Sequence, residues 1–142
     1  MIRFATQEDL PGLMAITLDL HQKYPDISYH PDIVYRTLVS WIAGDKERRI
    51  ALVAVDEKDT PYAALMAFAE ETVFSSDKIA YEVFWHTMKK TKDVLRLFEA
   101  YEFWAEKMGC RMIHGGAKDG VMSRYLTKKK YIPLDTTMYR VI

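Results

Sequence analysis

The stretch of sequence that decides the fold is KIAYEVFWHTMKKTKDVLRLFEAYEFWAEKM, residues 78–108. It begins as an apolar, strand-like run, passes through a short loop that carries three lysines, and continues as a long amphipathic helix. A helix start has unpaired backbone N–H groups and a partial positive charge. A strand–loop–helix corner with added lysines is therefore a natural seat for a phosphate or diphosphate group.

The rest of the chain supplies further elements on both sides of this corner. Strand patterns lie at 2–5, 49–55, 61–70, 79–87 and 111–114, and helical patterns at 6–21, 31–43, 94–108 and 121–129. Two last strands are predicted at 131–134 and 136–142, which gives the order β-α-α-β-β-β-α-β-α-β-β. A three-strand meander followed by a crossover helix favours an α/β (α+β) fold, with a central mixed, mostly antiparallel sheet and helices on both faces.

Length and composition set the class of protein. With 142 residues, of which 49% are hydrophobic, the chain is expected to form one domain, 1–142, with a true core. Its 20 basic and 20 acidic side chains argue against a whole-surface nucleic-acid binder. The single cysteine excludes an internal disulfide, and no stretch reaches the ~20 apolar residues of a membrane helix, so a cytoplasmic protein is expected.

With this order of elements, the chain resembles the GNAT superfamily of N-acetyltransferases over essentially its full length. The opening IRFATQEDLPGL is similar to the first strand and helix of that family, and GCRMIHGG and YLTKKKYIPLD are similar to its fifth strand and the helix-to-strand passage after it. The run EFWAEKMGC is especially similar to bacterial and phage members. The resemblance implies an acetyl-CoA-dependent N-acetyltransferase that transfers an acyl group to the amine of a small molecule or protein.

Members of this family hold the diphosphate of acetyl-CoA on a loop of pattern Gln/Arg-x-x-Gly-x-Gly/Ala at the start of the long helix. Laid on that pattern, the chain has Lys92 in place of the glycine and Val94 in place of the last small residue. The loop is thus a degenerate version in which lysine side chains replace close backbone approach. The implied cofactor-binding residues are Lys89, Lys90, Thr91, Lys92, Asp93 and Val94, together with Phe84 or Trp85, near which a backbone N–H would polarise the thioester.

The resemblance also implies catalytic candidates. Family members often take a general base from the third meander strand, where this chain has Glu82. They often place a tyrosine in the last helix, in a Phe-Tyr-x-x-x-Gly-Phe pattern, to protonate the departing thiolate. Here Leu126 holds the tyrosine position and Tyr125 lies one residue before it, so Tyr125 is the candidate acid.

Other residues are weighed from their chemistry alone. His86 is a second candidate base, while Cys110 is interpreted as a small apolar residue and His114 as a partly buried histidine. The four histidines are scattered and there is no cysteine pair, so no metal site is expected. Three tyrosines between the first two predicted helices could line an aromatic acceptor pocket: Tyr24, Tyr29 and Tyr35.

A different function remains open on the same fold. The loop without small residues and the displaced tyrosine are also what a non-catalytic binding or structural factor, for instance one encoded by a phage, would show. In that case large side chains such as Phe84 or Trp85 should fill the space between the fourth and fifth strands. Local contact with nucleic acid through the lysine clusters is a weaker alternative, and a homodimer is possible.

Overall fold

The computed structural model describes residues 1–117, 119–135 and 137–142. A short 3₁₀ helix at Gln7–Asp9 leads into the first α-helix. The strands and helices, in chain order, are β1 Ile2–Phe4, α1 Leu10–His21, α2 Pro31–Ala43, β2 Arg49–Val55, β3 Pro61–Glu71, β4 Lys78–Thr87, α3 Asp93–Lys107, β5 Met112–His114 and α4 Gly120–Lys128.

The strands form one five-stranded sheet in the order β1-β2-β3-β4-β5. The first three neighbouring pairs are antiparallel, and β4 pairs with β5 in parallel because α3 crosses over between them. The predicted mixed, mostly antiparallel sheet is therefore confirmed. The predicted order is also confirmed as far as α4.

Helices cover both faces of the sheet, as predicted. On one face, α1 and α2 pack on a core that includes Leu13, Ile16 and Val53, all without exposed surface. On the other face, α3 and α4 pack on a larger core built around Trp85 and Phe98. Two separate apolar layers thus sandwich the sheet, which is the arrangement that an α/β sheet needs to bury both of its faces.

A buried ion pair fixes the first strand to the first helix. Asp9 is 2% exposed, and its carboxylate accepts from Arg3 at 2.7 and 3.0 Å and from the backbone N–H of Thr6 at 2.7 Å. Burial works against the charged carboxylate, but these hydrogen bonds outweigh it and lower the pKa of Asp9. The bidentate contact holds β1 at the edge of the sheet next to the start of α1.

The crossover helix ends at a glycine. Met108 caps α3 and Gly109 follows in the left-handed region, with a φ of 72°. The N–H of Cys110 then donates to the carbonyl of Ala105 at 3.0 Å. This C-terminal turn needs a residue without a Cβ, and it aims the chain directly into β5.

The two last predicted strands do not form in the residues that the structure describes. Residues 131–135 and 137–142 adopt neither helix nor strand, and Thr136, the predicted start of the last strand, lies outside the described residues. An alternating pattern identifies side chains that could be buried, but it does not supply a neighbouring strand to pair with. Pro133 also lacks the N–H that a ladder needs. Within the described residues, no helix combines the length and apolarity that crossing a membrane requires.

Packing of α3 can be tested with two phenylalanines on the same helix. Phe98 is fully buried against Trp85 and Tyr101, whereas Phe103 is 62% exposed. We expect Phe98→Ala to lower the free energy of unfolding by about 3–5 kcal/mol, because it opens a cavity in the core. The matched change Phe103→Ala should cost about 0.5 kcal/mol or less. Urea unfolding measures both values, and equal losses would contradict this packing.

Candidate functional site

The candidate site lies where β4 extends beyond the end of the neighbouring strand β5. The parallel ladder joins Ile79, Ala80 and Tyr81 to Met112, Ile113 and His114, and then β5 ends. β4 continues to Thr87 with β3 on one side only. Among the described residues, this second half of β4 therefore has one edge without a partner strand.

The register identifies which backbone groups point to that edge. The N–H of Met88 donates to the carbonyl of Tyr62 on β3 at 2.9 Å. Because antiparallel pairs alternate between bonded and non-bonded positions, the N–H groups of Phe84 and His86 also face β3. The N–H groups of Trp85 and Thr87 then face the opposite edge, toward β5. Of the two residues named from the sequence, Trp85 has the outward donor and Phe84 does not.

A β-bulge sets this orientation. Glu82 pairs with Ala67 and Phe84 pairs with Met66, so Val83 is an extra residue on β4. Its side chain is about half exposed. A bulge places two residues opposite one and turns the strand locally. As a result Trp85 lies on the α3 face and Phe84 on the α1 face, where each joins a core.

The indole of Trp85 spans the gap between the two strands on the α3 side. Its ring is fully buried, 4.7 Å from Phe98 and 6.5 Å from Tyr125 between centroids. Its Nε1–H donates to the carbonyl of Gly116, after the end of β5, at 2.8 Å. The space between β4 and the chain after β5 is thus closed by a side chain on this face, while the backbone edge of β4 lies beside it.

The lysine loop between β4 and α3 lines a surface cavity of about 900 Å³. Lys89, Lys90 and Thr91 form one wall, and the turn between β2 and β3 forms the other, with Asp56 among its residues. The ammonium of Lys89 lies 4.6 Å above the ring of Tyr62. This places the first two lysines of the predicted diphosphate seat on the β3 side of β4, away from the free edge.

The start of α3 is occupied by a carboxylate of the chain itself. Asp93 is the first residue of α3, and it accepts a short hydrogen bond from the hydroxyl of Tyr62. This bond lowers the pKa of Asp93 and raises the pKa of Tyr62 to about 12. The side chain of Val94, at the position of the family's last small residue, is buried in the core. Anion binding at this helix start therefore competes with a resident negative charge.

Glu82 and Tyr125 both lie on the α3–α4 face of the sheet. The alternation of β4 puts Glu82 on the same face as Ala80, which belongs to that core, and a Cβ on Gly116 would lie 2.8 Å from Glu82 Oε1. Tyr125 packs on Trp85, and its hydroxyl lies 3.4 Å from the carbonyl of Leu95. Burial raises the pKa of Tyr125, so its hydroxyl stays protonated at neutral pH. The two candidates thus flank the Trp85 indole on the same side of the sheet.

A histidine–aspartate pair lies on the opposite face. His86 follows Trp85 on β4, is almost fully buried, and its Nε2 lies 2.6 Å from Asp19 Oδ2 on α1. The sequence identified His86 as a candidate base but gave no sign of Asp19, because the two are 67 residues apart. The pair is nonetheless one strand position from the outward N–H of Trp85.

The other residues considered in the sequence analysis lie in separate parts of the fold. Tyr29 is anchored, with its hydroxyl 3.1 Å from that of Thr17, whereas Tyr24 and Tyr35 are exposed. Cys110 packs at the edge of the larger core, where burial raises the pKa of its thiol. His114 is partly buried, with its ring 5.5 Å from that of Tyr81. Within 1–117, 119–135 and 137–142, no group of three or more His, Cys, Asp or Glu side chains could hold a metal ion.

The fold is similar to that of solved acetyltransferases, so the fold expected from the resemblance seen in the sequence is confirmed. No protein-family model matches the sequence, and no curated protein matches it. The likeness is therefore carried by the structure.

Three solved structures illustrate it. A tetramutant of a Bacillus halodurans protein has a TM-score of 0.82 and 16% identity, over 100% of this chain and 99% of that one. Glucosamine-6-phosphate N-acetyltransferase from Arabidopsis thaliana has a TM-score of 0.78 and 12% identity, over 99% and 96%. Aminoglycoside antibiotic 6'-N-acetyltransferase from Acinetobacter haemolyticus has a TM-score of 0.73 and 16% identity, over 99% and 96%. At these identities the likeness concerns the fold.

The hydrogen bond between Tyr62 and Asp93 should have a pH signature. We expect Tyr62→Phe to cost about 1 kcal/mol of unfolding free energy at pH 7. The lowered pKa of Asp93 means that this contribution is lost as pH falls below about 4. The pKa of Tyr62, raised from 10.0 to about 12, means that it is also lost as pH rises through that interval.

Urea unfolding of the wild type and of Tyr62→Phe across this pH range measures the difference. Tyr139→Phe is the matched control, because Tyr139 is almost fully exposed. It should behave as the wild type throughout. A cost of Tyr62→Phe that stays constant from acid to alkaline pH would contradict the assignment of the bond.

Proposed function

We propose that this protein is an acyl-CoA-dependent N-acyltransferase that transfers an acetyl group to an amine. One observation carries the proposal. Where β4 extends beyond the last residue of β5, it presents the backbone N–H groups of Trp85 and Thr87 at an edge without a partner strand among the described residues. Such an edge accepts an extended ligand by backbone hydrogen bonds, in the manner of an added strand. The pantetheine arm of a coenzyme A thioester has amide groups suited to that pairing.

The chemistry depends on the position of the edge. The amine nitrogen attacks the carbon of the thioester carbonyl. The carbonyl oxygen gains negative charge, which a fixed backbone donor such as the Trp85 N–H stabilises. The amine then gives up a proton, and the C–S bond breaks to release a thiolate that takes up a proton. We assign the first proton transfer to Glu82, and the second to the protonated hydroxyl of Tyr125.

The diphosphate would be held by charge more than by close backbone approach. Lys92 is exposed at the entry to α3 with Thr91 beside it, whereas Lys89 and Lys90 are exposed on the β3 side of β4 and would attract the diphosphate from a longer distance. Lysine ammonium groups attract phosphate as point charges without a fixed geometry. Exposed contacts of this kind weaken with salt, so the affinity for coenzyme A should fall as ionic strength rises.

Calorimetry on the purified chain tests the proposal. Acetyl-CoA should release heat on binding, and the chain should then liberate free thiol when a suitable amine is added. A panel of small amines and lysine peptides, read by thiol release, covers both acceptor classes. If millimolar acetyl-CoA gave neither heat in calorimetry nor a shift in the melting temperature of the protein, the acyltransferase proposal would be rejected.

The resident carboxylate gives a sharper test with matched controls. Asp93→Asn removes a negative charge beside the proposed diphosphate seat, so we expect about two- to fivefold tighter binding of coenzyme A. Asp93→Glu keeps the charge and should bind no more tightly than the wild type. Tyr62→Phe breaks the same hydrogen bond but leaves the carboxylate, and it too should give no gain. A loss of affinity in Asp93→Asn would place the diphosphate elsewhere.

A non-catalytic binding role is the second candidate, and the closed space beside Trp85 favours it. The indole bridges to the Gly116 carbonyl at 2.8 Å, where an arm of coenzyme A would otherwise pass. Under this alternative the wild type gives no response to coenzyme A. Trp85→Phe keeps an aromatic ring in the core and removes the bridging N–H. If that variant binds coenzyme A and the wild type does not, the indole is the block.

A further inference from the structure

We propose that a shallow groove between α2 and the start of β2 binds a phosphate group, either free phosphate or that of a small phosphorylated molecule, between the guanidinium groups of Arg36 and Arg49. This inference is independent of the acyltransferase proposal, because none of the residues that line the groove belongs to the lysine loop or to β4. It rests on the charge of the groove, on two arginines without a partner, and on the fixed position of one of them.

The groove has a volume of about 390 Å³ and a positively charged lining. It is lined by two cationic, two hydroxyl and two apolar side chains: Ile33, Arg36, Thr37, Ser40, Trp41 and Arg49. The first five of these follow one another at helical spacing along one side of α2. Arg49, the first residue of β2, contributes the wall on the sheet side. The lining that the structure describes includes no carboxylate.

The two guanidinium groups have no anionic partner in the described part of the chain. The ion pairs found there engage other cations, so every described carboxylate lies more than 4 Å from the guanidinium nitrogens of Arg36 and Arg49. Asp45, close to Arg49 in sequence, accepts instead from the backbone N–H of Glu47 at 2.9 Å. A guanidinium presents five N–H donors in a planar fork that fits phosphate oxygens. Both forks are therefore available to a ligand.

The side chain of Arg49 is held in place by the last turn of α2. Its guanidinium carbon lies 5.0 Å from the centre of the Trp41 ring, in a cation–π contact. The indole is itself fixed, because its Nε1–H donates to the carbonyl of Ile50 at 2.8 Å. A Cβ on Gly44 would lie 2.7 Å from Cδ of Arg49, so the arginine stem passes closely over this glycine. A ligand would thus meet a guanidinium that is already ordered.

Capping of α2 does not account for the position of Arg49. Cations near a helix C-terminus commonly bind the last carbonyl groups. Here Lys46 has that role, since its Nζ donates to the carbonyl of Ile42 at 2.7 Å. The N–H of Gly44 donates to the carbonyl of Trp41 at 3.3 Å. The guanidinium of Arg49 is therefore left for an anion from outside the chain.

A phosphate group matches these donors better than a carboxylate does. Its oxygens point in several directions, so two guanidinium groups on opposite walls can each bind it through charge-assisted hydrogen bonds. A carboxylate has two oxygens in one plane and satisfies a single fork. The hydroxyl of Ser40, one turn after Arg36, adds a donor, whereas the hydroxyl of Thr37 already donates to the carbonyl of Ile33 at 2.9 Å.

Titration of the full chain with inorganic phosphate, followed by the NMR signals of the indole N–H groups, tests the site. The chain has three tryptophans, and Trp41→Phe identifies the signal of Trp41. At constant ionic strength this signal should shift and reach a plateau at millimolar phosphate. The signals of Trp85 and Trp104, which are buried in the larger core, should stay in place. Absence of a saturable shift at Trp41 would overturn the proposal.

Variants with matched charge separate the groove from the overall charge of the protein. Arg36→Gln and Arg49→Gln should each weaken phosphate binding about tenfold, and Arg49→Lys about threefold, because lysine keeps the charge but lacks the fork. Arg48→Gln removes the same charge one position before β2, and its affinity should stay within about twofold of the wild type. Since Arg36 is exposed, Arg36→Gln keeps the fold even if Arg49→Gln does not. Equal losses in Arg36→Gln and Arg48→Gln would contradict a specific site.

A further control and a comparison of ligands identify where the phosphate binds and what carries it. Lys92→Gln alters the lysine loop and should leave the shift of the Trp41 signal unchanged; loss of that shift would contradict the assignment. Glycerol phosphate that binds more tightly than inorganic phosphate would indicate a phosphate monoester as the ligand, and otherwise free phosphate is the ligand. A neutral, serine-phosphorylated peptide that binds more than about tenfold tighter than both would indicate a protein partner and overturn the small-molecule assignment.

Discussion

The contact between Trp85 and Phe98 is the interaction on which the rest of the larger core depends. Their rings lie 4.7 Å apart and join the last part of β4 to the first half of α3. Phe98 also meets Tyr101, Tyr125 and Tyr131 at ring distances of 5.3 to 6.2 Å. Without this aromatic cluster the crossover helix would have no fixed position on the sheet. The position of the helix in turn determines where the chain enters β5.

The chain after α3 is built around that cluster. A Cβ on Gly115 would lie 2.7 Å from the Phe98 ring, so the passage after β5 can approach α3 only because this residue has no side chain. Tyr101 donates to the carbonyl of His114 at 2.9 Å, which holds the end of β5 under α3. Aromatic packing therefore decides where β5 stops. The position where β5 ends in turn determines how much of the β4 edge has no partner strand among the described residues.

Most of the fold could be predicted from local signals. Pro31 and Gly44 bracket α2, Gly109 ends α3, and the apolar run at 49–55 is β2 without change of bounds. Tyr101 and Trp104, on the apolar side of α3, are both buried in the core. Such features depend on a few neighbouring residues, which is why a sequence reveals them. The predicted C-terminal strands are absent from the described residues, because an alternating pattern is a local signal whereas a strand forms only when it pairs with another strand.

The candidate site was harder to predict from the sequence, for the same reason. The sequence identified the lysine loop, but not that Asp93 is bonded to Tyr62, 31 residues earlier. It identified His86 but not Asp19, and it named Trp85 without indicating that its indole reaches Gly116. No spacing rule connects residues that meet only through the sheet. In each case the missing information is the register between distant segments, which tertiary packing alone supplies.

The extra residue at Val83 has a wider consequence for how this chain can change over time. The side chains of β4 alternate between the two faces of the sheet, with one phase before the bulge and the opposite phase after it. Loss of that single residue would make Glu82 and Phe84 direct neighbours, as their partners Ala67 and Met66 are on β3, so both halves of the strand would keep their faces and only the bulge would disappear. Loss of an ordinary paired residue would instead move the side chains on one side of the deletion to the opposite layer.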